Sequence, residues 1–235
     1  MSKDLLLEIG TEEIPAHVMP HLLSDLKRLA GEQLRDQRLS YENLRTIGTP
    51  RRAALIVTGL AERQEDVSTE TRGPSVAIAF DAAGNLTKAG EGFARGQGID
   101  PSALIQRDGY VYASVHEKGA ETARLLTELL PELIRSIPLP NSMRWGDLDF
   151  RFIRPIRWLV ALYGTETVPF MLANVTSGNM SRGHRTLAPA DFIIPSPADY
   201  EAACERAYII VDPERRRAMI CEQIAETARA CGGTA

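Results

Sequence analysis

The segment Asp4–Gly10 has the sequence DLLLEIG, and it decides the class of fold. It is short, apolar and bounded by polar residues, which is typical of a buried β-strand. Apolar residues then recur at helical spacing over Ala16–Gln37, which predicts an amphipathic helix. Leu44–Ile47 and Ala53–Leu60 predict two strands joined by a turn at Gly48–Arg51. The order strand, helix, strand, strand favours an α+β fold over an all-α fold.

The rest of the chain continues to mix helical and strand patterns. The further predicted elements are a linker or edge segment (Gln64–Thr71), a strand or short helix (Val76–Phe80), a turn (Asp81–Asn85), a glycine-containing helix (Leu86–Gln97), a strand (Val111–Val115), a helix (Glu121–Ser136), an antiparallel strand pair (Ile156–Tyr163 and Val168–Val175), a polar loop (Thr176–Arg185), a helix (Asp199–Ala207), a strand (Tyr208–Val211) and a last helix capped by Asp212. We therefore expect mixed, mainly antiparallel sheets packed with helices in two or more subdomains. The expected segments are 1–66, 67–142, which could be an insertion, and 143–235.

Composition excludes several classes of protein. The chain has 235 residues, of which 44% are hydrophobic and 25% charged, as in a soluble globular protein and unlike a disordered or fibrous one. Lys and Arg number 27 against 31 Asp and Glu, so the whole chain is no polycation built to coat nucleic acid. Cys204, Cys221 and Cys231 show no CxxC spacing, which argues against a disulfide scaffold or a zinc ribbon. We expect these cysteines to be buried on helices, and the protein to be cytoplasmic.

One window departs from this average. Between Met143 and Leu187 six arginines face three acids, which makes the window +3 and leaves −7 for the rest of the chain. Aromatic residues alternate with the arginines, a pattern that nucleic-acid surfaces use. The candidate binding residues of the window are Arg144, Trp145, Arg151, Arg154, Arg157, Arg182, His184 and Arg185. The alternative is a strand-rich core whose arginines pair with acids elsewhere.

Two smaller groups of charges lie near the ends of the predicted strands. Glu8, Glu12 and Glu13 form an acidic cluster that could do acid–base work or bind a divalent metal. No histidine lies at ligand spacing, and adjacent acids in a turn are more often solvated, so we assign neither a catalytic residue nor a metal site. Arg51 and Arg52 could clamp a phosphate or a carboxylate, or lie in a solvated turn, or pair with Glu12 or Glu13.

Several short motifs, in one order, resemble the β subunit of bacterial glycyl-tRNA synthetase. The motifs are LEIGTEEIP (Leu7–Pro15), GTPRRAAL (Gly48–Leu55), RGP (Arg72–Pro74), FDxxG (Phe80–Gly84), KAGEGFARGQG (Lys88–Gly98), MRWG (Met143–Gly146), FxRP (Phe152–Pro155) and SRGHR (Ser181–Arg185). Ala54 stands where the family has leucine, and Thr186 where it often has phenylalanine. The family's subunits also continue for several hundred residues, so the chain resembles their N-terminal part.

The resemblance implies a specific role. The family's enzyme is a heterotetramer of two α and two β subunits that joins glycine to tRNA(Gly) with ATP. ATP and Mg²⁺ act mainly at the α subunit, so we expect no cofactor on this chain, no activity of the chain alone, and neither DNA nor a membrane as a partner. The arginine window would then contact tRNA or the α subunit. The alternative is a purely structural protein-interaction module with no RNA contact.

Overall fold

The computed structural model describes residues 2–81 and 84–234. Contacts divide the chain into two compact units, Met1–Glu62 with Glu121–Ala235, and Arg63–Ala120. The second unit is therefore inserted in the sequence of the first. The division into 1–66, 67–142 and 143–235 stays a prediction; in the structure residues 121–142 belong with the first unit.

The α+β fold class is confirmed by the elements of the described residues. The strands are β1 (Ser2–Thr11), β2 (Asn43–Thr49), β3 (Arg52–Ala61), β4 (Val67–Ser75), β5 (Ile105–Arg107), β6 (Tyr110–Glu117), β7 (Ile156–Tyr163), β8 (Glu166–Thr167), β9 (Met171–Leu172), β10 (Val175–Gly178), β11 (Met180–Arg182) and β12 (Asp191–Ile193). The α-helices are α1 (Met19–Asp36), α2 (Val76–Ala79), α3 (Lys88–Gly96), α4 (Thr122–Ser136), α5 (Tyr200–Arg206) and α6 (Pro213–Ala230). None of these helices combines the length and the apolar character needed to span a membrane.

The first unit is built on a mixed sheet in the order β2-β3-β1-β7-β10-β9, with β8 also pairing with β7. β1 lies inside this sheet and is antiparallel to both β3 and β7. Successive side chains of a strand point to opposite faces. Leu5, Leu7 and Ile9 accordingly pack in the core under α1 and α4, while Leu6 packs in a second core under α5. The pleat thus places Glu8, the polar residue of the segment, on the α5 face.

Helix α1 confirms the prediction over Ala16–Gln37. The buried side chains of the helix begin at Met19 and recur every three to four residues. They are Met19, Leu22, Leu26, Ala30 and Leu34. Pro20 lies in the first turn, where its missing N–H would have no helical partner. Helix α4 packs against α1 and also occurs where the sequence predicts it.

The strand predicted over Val168–Val175 is wrong. β8 ends at Thr167, and Pro169 cannot donate a hydrogen bond to a continued ladder. The chain instead turns through Ala173 and Asn174, both at positive φ, and β10 returns parallel to β7.

Two further predictions are corrected near the C-terminal end. The polar loop predicted over Thr176–Arg185 contains most of β10 and all of β11, which pairs with β12. Ser177 and Ser181 of this segment are buried, because strand pairing satisfies their backbone groups and hydrogen bonds satisfy their hydroxyl groups. Tyr208–Val211 is not a strand, since Tyr208, two residues after the end of α5, adopts a φ of +60°.

Helix α6 begins at the predicted cap, because the Asp212 carboxylate accepts from the backbone N–H groups of Glu214 and Arg215. The helix buries no side chain. Cys221 and Cys231 are accordingly exposed, which corrects the expectation of three buried cysteines; Cys204 on α5 is buried as expected.

The second unit holds the antiparallel sheet β4-β6-β5 with α2 and α3. Gln64–Thr71 is largely the edge strand β4 and not a linker, and Val76–Ala79 is the short helix. The turn predicted over Asp81–Asn85 includes residues 82 and 83, which lie outside the described residues. A Cβ on Gly73 would lie 2.5 Å from the Phe93 ring, so the RGP glycine lets α3 approach β4.

Candidate functional site

A buried carboxylate organises the α5 side of the first unit. Glu8 is fully buried. Its Oε1 accepts hydrogen bonds from the Trp158 indole N–H and from the Ser181 hydroxyl at 2.5 Å, and its Oε2 accepts from the Tyr200 hydroxyl at 2.5 Å. Glu8 is therefore not part of a solvated acidic cluster with Glu12 and Glu13. It ties β1 to β7, β11 and α5.

Arg52 completes this buried network. Its Nη1 lies 3.4 Å from Glu8 Oε2 and donates to Ser181 Oγ at 3.0 Å, while Nη2 donates to the Arg182 carbonyl at 2.6 Å. Burial lowers the pKa of Arg52, but the charge of Glu8 and further partners outweigh it and the net pKa is raised. Both alternatives offered for Arg52, a solvated turn and a pair with Glu12 or Glu13, are wrong. The network anchors residues 181–182 to the start of β3.

The same burial makes the neighbouring nucleophiles inert. Burial, followed by the charge of Glu8, raises the pKa of the Cys204 thiol to about 12. Burial and Glu8 also raise the pKa of Tyr200 well above its usual range. Both groups therefore stay protonated at neutral pH. We call the buried network of Glu8, Arg52, Trp158, Ser181 and Tyr200 the clasp, and its role is structural.

Above the clasp lies an open cavity of about 510 Å³, which we call the arginine cleft. Its lining residues are Glu13, Thr49, Pro50, Arg51, Arg52, Gly183, His184, Arg185, Thr186, Tyr208, Ile209, Ile210 and Arg216. Four of these are arginines and one is an acid. The cleft thus combines the Gly48–Arg51 turn, the SRGHR motif and the first turn of α6, which are far apart in sequence.

Two of the four arginines of the cleft, Arg51 and Arg216, are partly withdrawn from water. Burial, followed by the nearby charge of Arg185, lowers the pKa of Arg51, and burial also lowers the pKa of Arg216. Arginine stays charged at neutral pH even so. Crowded, partly desolvated cations are stabilised by an opposite charge, so the arrangement favours an anionic ligand.

The loop that forms one wall depends on a glycine and a histidine. A Cβ on Gly183 would lie 2.0 Å from the Ala188 carbonyl oxygen, so only glycine fits that approach. His184 Nδ1 accepts from the backbone N–H groups of Thr186 at 3.2 Å and Leu187 at 3.1 Å. His184 therefore holds the turn of its own loop.

Glu12 and Glu13 lie at the edge of the cleft and are paired. Glu12 lies 3.2 Å from Arg157 and 3.3 Å from Arg185, and Glu13 lies 3.6 Å from Arg185. Arg154 donates to the Glu13 carbonyl at 3.1 Å. Glu12 and Glu13 thus hold Arg157 and Arg185 in place. Arg51 has no direct ion pair among the described residues.

The structure separates the predicted candidates into two groups. Arg51, Arg52, His184 and Arg185 meet at the cleft. Arg182 lies against the Trp158 ring, with 5.3 Å from guanidinium carbon to ring centroid. Trp145 instead packs edge-on against Phe150 on the α1 and α4 face. The remaining two arginines stay with that segment: Arg144 pairs with Asp149 at 3.2 Å, and Arg151 donates to the Ser142 carbonyl at 2.6 Å.

Sequence reasoning missed Arg216, Tyr200 and Ser181 as parts of the site. Arg216 donates to the carbonyls of Gly48 at 3.1 Å and Ile210 at 2.6 Å, which closes the cleft from α6. Only Ser181 carried a signal, as the first residue of the SRGHR motif. Among residues 2–81 and 84–234, no group of three His, Cys, Asp or Glu side chains could hold a metal ion.

Comparison with known proteins identifies the family. A family model described as glycyl-tRNA synthetase beta subunit matches residues 5–235. Glycine–tRNA ligase beta subunits of Desulfitobacterium hafniense (strain Y51) and Syntrophotalea carbinolica are 48% and 47% identical over 237 residues, 99% of this chain and 34% of each relative. That of Geobacter metallireducens is 47% identical over 235 residues, 98% of this chain and 34% of the relative. The chain thus spans about a third of the length of these relatives. The resemblance drawn from the motifs is confirmed, and the chain belongs to the glycyl-tRNA synthetase β-subunit family.

Proposed function

We propose that this chain is a tRNA-binding part of a glycine–tRNA ligase, and that it contributes binding and not the chemical step. The ligase would join glycine to tRNA(Gly) with ATP in the cytoplasm. The arginine cleft carries the proposal, because four arginines and one acid line a cavity that solvent reaches, and only Arg52 of the four is balanced by the buried Glu8. RNA supplies the anion that such a cleft favours, a phosphodiester.

The residue types support phosphate as the ligand. A guanidinium offers a planar fork of donors that matches phosphate oxygens in two parallel hydrogen bonds. Arg51 and Arg185 both line the cleft, and Arg51 has no direct ion pair among the described residues to compete with a phosphate. Binding through such contacts releases counterions and weakens as salt rises.

We also propose that the chain pairs with a ligase α subunit in a heterotetramer of two α and two β subunits, with ATP and Mg²⁺ bound mainly by the α subunit. The name of the relatives, beta subunit, supports the pairing. The segment with Arg144, Trp145 and Arg151 supplies a surface for it that is separate from the cleft. Capture of the α subunit by this chain, with and without tRNA, tests the pairing, and glycylation should be undetectable without the α subunit.

A titration of labelled tRNA(Gly) at several salt concentrations tests the role of the cleft. Arg51→Ala and Arg185→Ala should each weaken binding and make its salt dependence shallower. Arg28→Ala is the matched control, since Arg28 is an exposed arginine on α1 whose ion-pair partners among the described residues are Asp25 and Glu32. Undetectable or salt-independent binding by the unaltered chain would contradict the proposal and favour a purely structural interaction module.

A further inference from the structure

The sheet of the second unit has one buried face and one open face. Along β6, Val111 and Ala113 are fully buried, as are Ala79 on α2 and Ala94 on α3. The pleat places Tyr110 and Tyr112 on the opposite face, where both side chains are partly exposed.

Two arginines lie on the tyrosine rings from the strands on either side. Arg72 on β4 is opposite Tyr112 in register, yet its guanidinium carbon lies 3.5 Å from the Tyr110 ring centroid. Arg107 on β5 is opposite Tyr110, and its guanidinium carbon lies 4.4 Å from the Tyr112 centroid. Long side chains reach such diagonal neighbours across a sheet. Four planar groups therefore cover three strands, and we call this surface the tyrosine–arginine face.

The two arginines differ in charge pairing. Arg107 donates to Glu70 at 2.6 Å, so its charge is balanced. Arg72 is exposed and has no ion-pair partner among the described residues. Residues 63–120 hold six basic and eight acidic side chains, so overall charge does not attract RNA to this unit. The affinity of a ligand for this face must therefore come from the planar surface and from the unpaired charge of Arg72.

We propose that the tyrosine–arginine face binds unpaired nucleotides of RNA by stacking their bases on the Tyr110–Arg72 and Tyr112–Arg107 planes, with the N–H edge of the Arg72 guanidinium on an adjacent phosphate. Aromatic and guanidinium planes stack on splayed bases, and a base-paired duplex hides the base faces that such stacking needs. The inference rests on the proposed function, since it takes tRNA as the ligand and assigns this face its unpaired nucleotides. One phosphate contact gives a shallow salt dependence, with a slope of about −0.7 for a single strand.

Anisotropy titrations with two labelled RNAs test the assignment on the intact chain. One RNA is a short unstructured strand, and the other is a blunt-ended hairpin of equal length whose loop is a non-nucleotide linker, so that every base is paired. The double variant Tyr110→Thr/Tyr112→Thr keeps strand-forming residues and removes both rings. It should bind the unstructured strand about tenfold or more weakly, since each stacked base contributes substantially, and the hairpin as the unaltered chain does.

Three further variants separate stacking from charge and from misfolding. Tyr110→Phe keeps the ring and should bind as the unaltered chain does. Arg72→Ala should weaken single-strand binding, while Arg95→Ala, which removes an exposed arginine from α3, should not. Thermal unfolding of each variant verifies that the fold is kept.

Several results would overturn the assignment. These are unchanged single-strand affinity in the double tyrosine variant, an equal loss for the hairpin, equal losses in Arg72→Ala and Arg95→Ala, or a loss of α-subunit capture without a loss of RNA binding. If tRNA still binds through Arg51 while the tyrosine variants bind normally, only this inference fails. If the unaltered chain binds neither tRNA nor the strand, the proposed function fails as well.

Discussion

Glu8 and Arg52 form an ion pair inside the protein, with 3.4 Å between Oε2 and Nη1 and side chains 0% and 3% exposed. The pair joins the first strand to the start of β3, and its hydrogen bonds continue to Ser181 and Tyr200. The arginine cleft lies directly on this clasp, because Arg52 belongs to both. The position of the cleft loop therefore depends on a charge pair that solvent does not reach.

Replacing Glu8 by glutamine should destabilise the protein strongly. The change leaves the buried Arg52 guanidinium uncompensated, and breaking a buried pair from one side costs about 3–5 kcal/mol. Urea unfolding measures the loss. Glu12→Gln is the control, since its pairs are surface ones worth about 0–1 kcal/mol; equal losses for the two variants would show that the Glu8 pair is no stronger than a surface pair.

Thiol reactivity should divide the three cysteines. Cys221 and Cys231 are exposed and should react with an alkylating reagent in the native protein. Cys204 is buried, with a pKa raised to about 12, and should react only after unfolding. Mass spectrometry of native and denatured samples measures the two groups, and rapid native labelling of Cys204 would contradict the buried clasp.

The raised pKa of Cys204 also predicts a loss of stability in alkali. The thiol keeps its proton in the native state up to about pH 12, whereas an unfolded thiol loses it near pH 8.5. Its contribution is therefore complete below about pH 8.5 and is lost as pH rises toward 12. The difference in free energy of unfolding between the unaltered chain and Cys204→Ala should decrease by about 1–2 kcal/mol from pH 8 to pH 10. Urea unfolding of both at the two pH values checks this, and a constant difference would contradict it.

Local pattern predicted the elements that depend on neighbours in sequence. The spacing of Leu22, Leu26 and Leu34 was sufficient for α1, and Asp212 was sufficient for the start of α6. Glu8 was misassigned because its partners Ser181 and Tyr200 lie 173 and 192 positions away, and no local pattern carries such a pairing. The strand after β7 was misjudged because Pro169 outweighed the apolar run around it.

The glycine of the SRGHR motif allows the sharpest test of the cleft loop. In Gly183→Ala the new Cβ would lie 2.0 Å from the Ala188 carbonyl oxygen, so the backbone of the loop must move. Because His184 and Arg185 follow directly, their side chains would leave their places in the cleft. We expect faster amide hydrogen exchange over residues 181–187 and a tenfold or larger loss of tRNA affinity, about 1.4 kcal/mol or more.

Gly178→Ala is the matched control, because its nearest neighbouring atom would be 4.0 Å from the new Cβ. Since alanine at Gly183 removes no charge, a loss of binding would arise from the position of Arg185 and not from its presence. Normal tRNA affinity in a variant whose loop exchange has increased would show that the cleft loop does not hold the RNA.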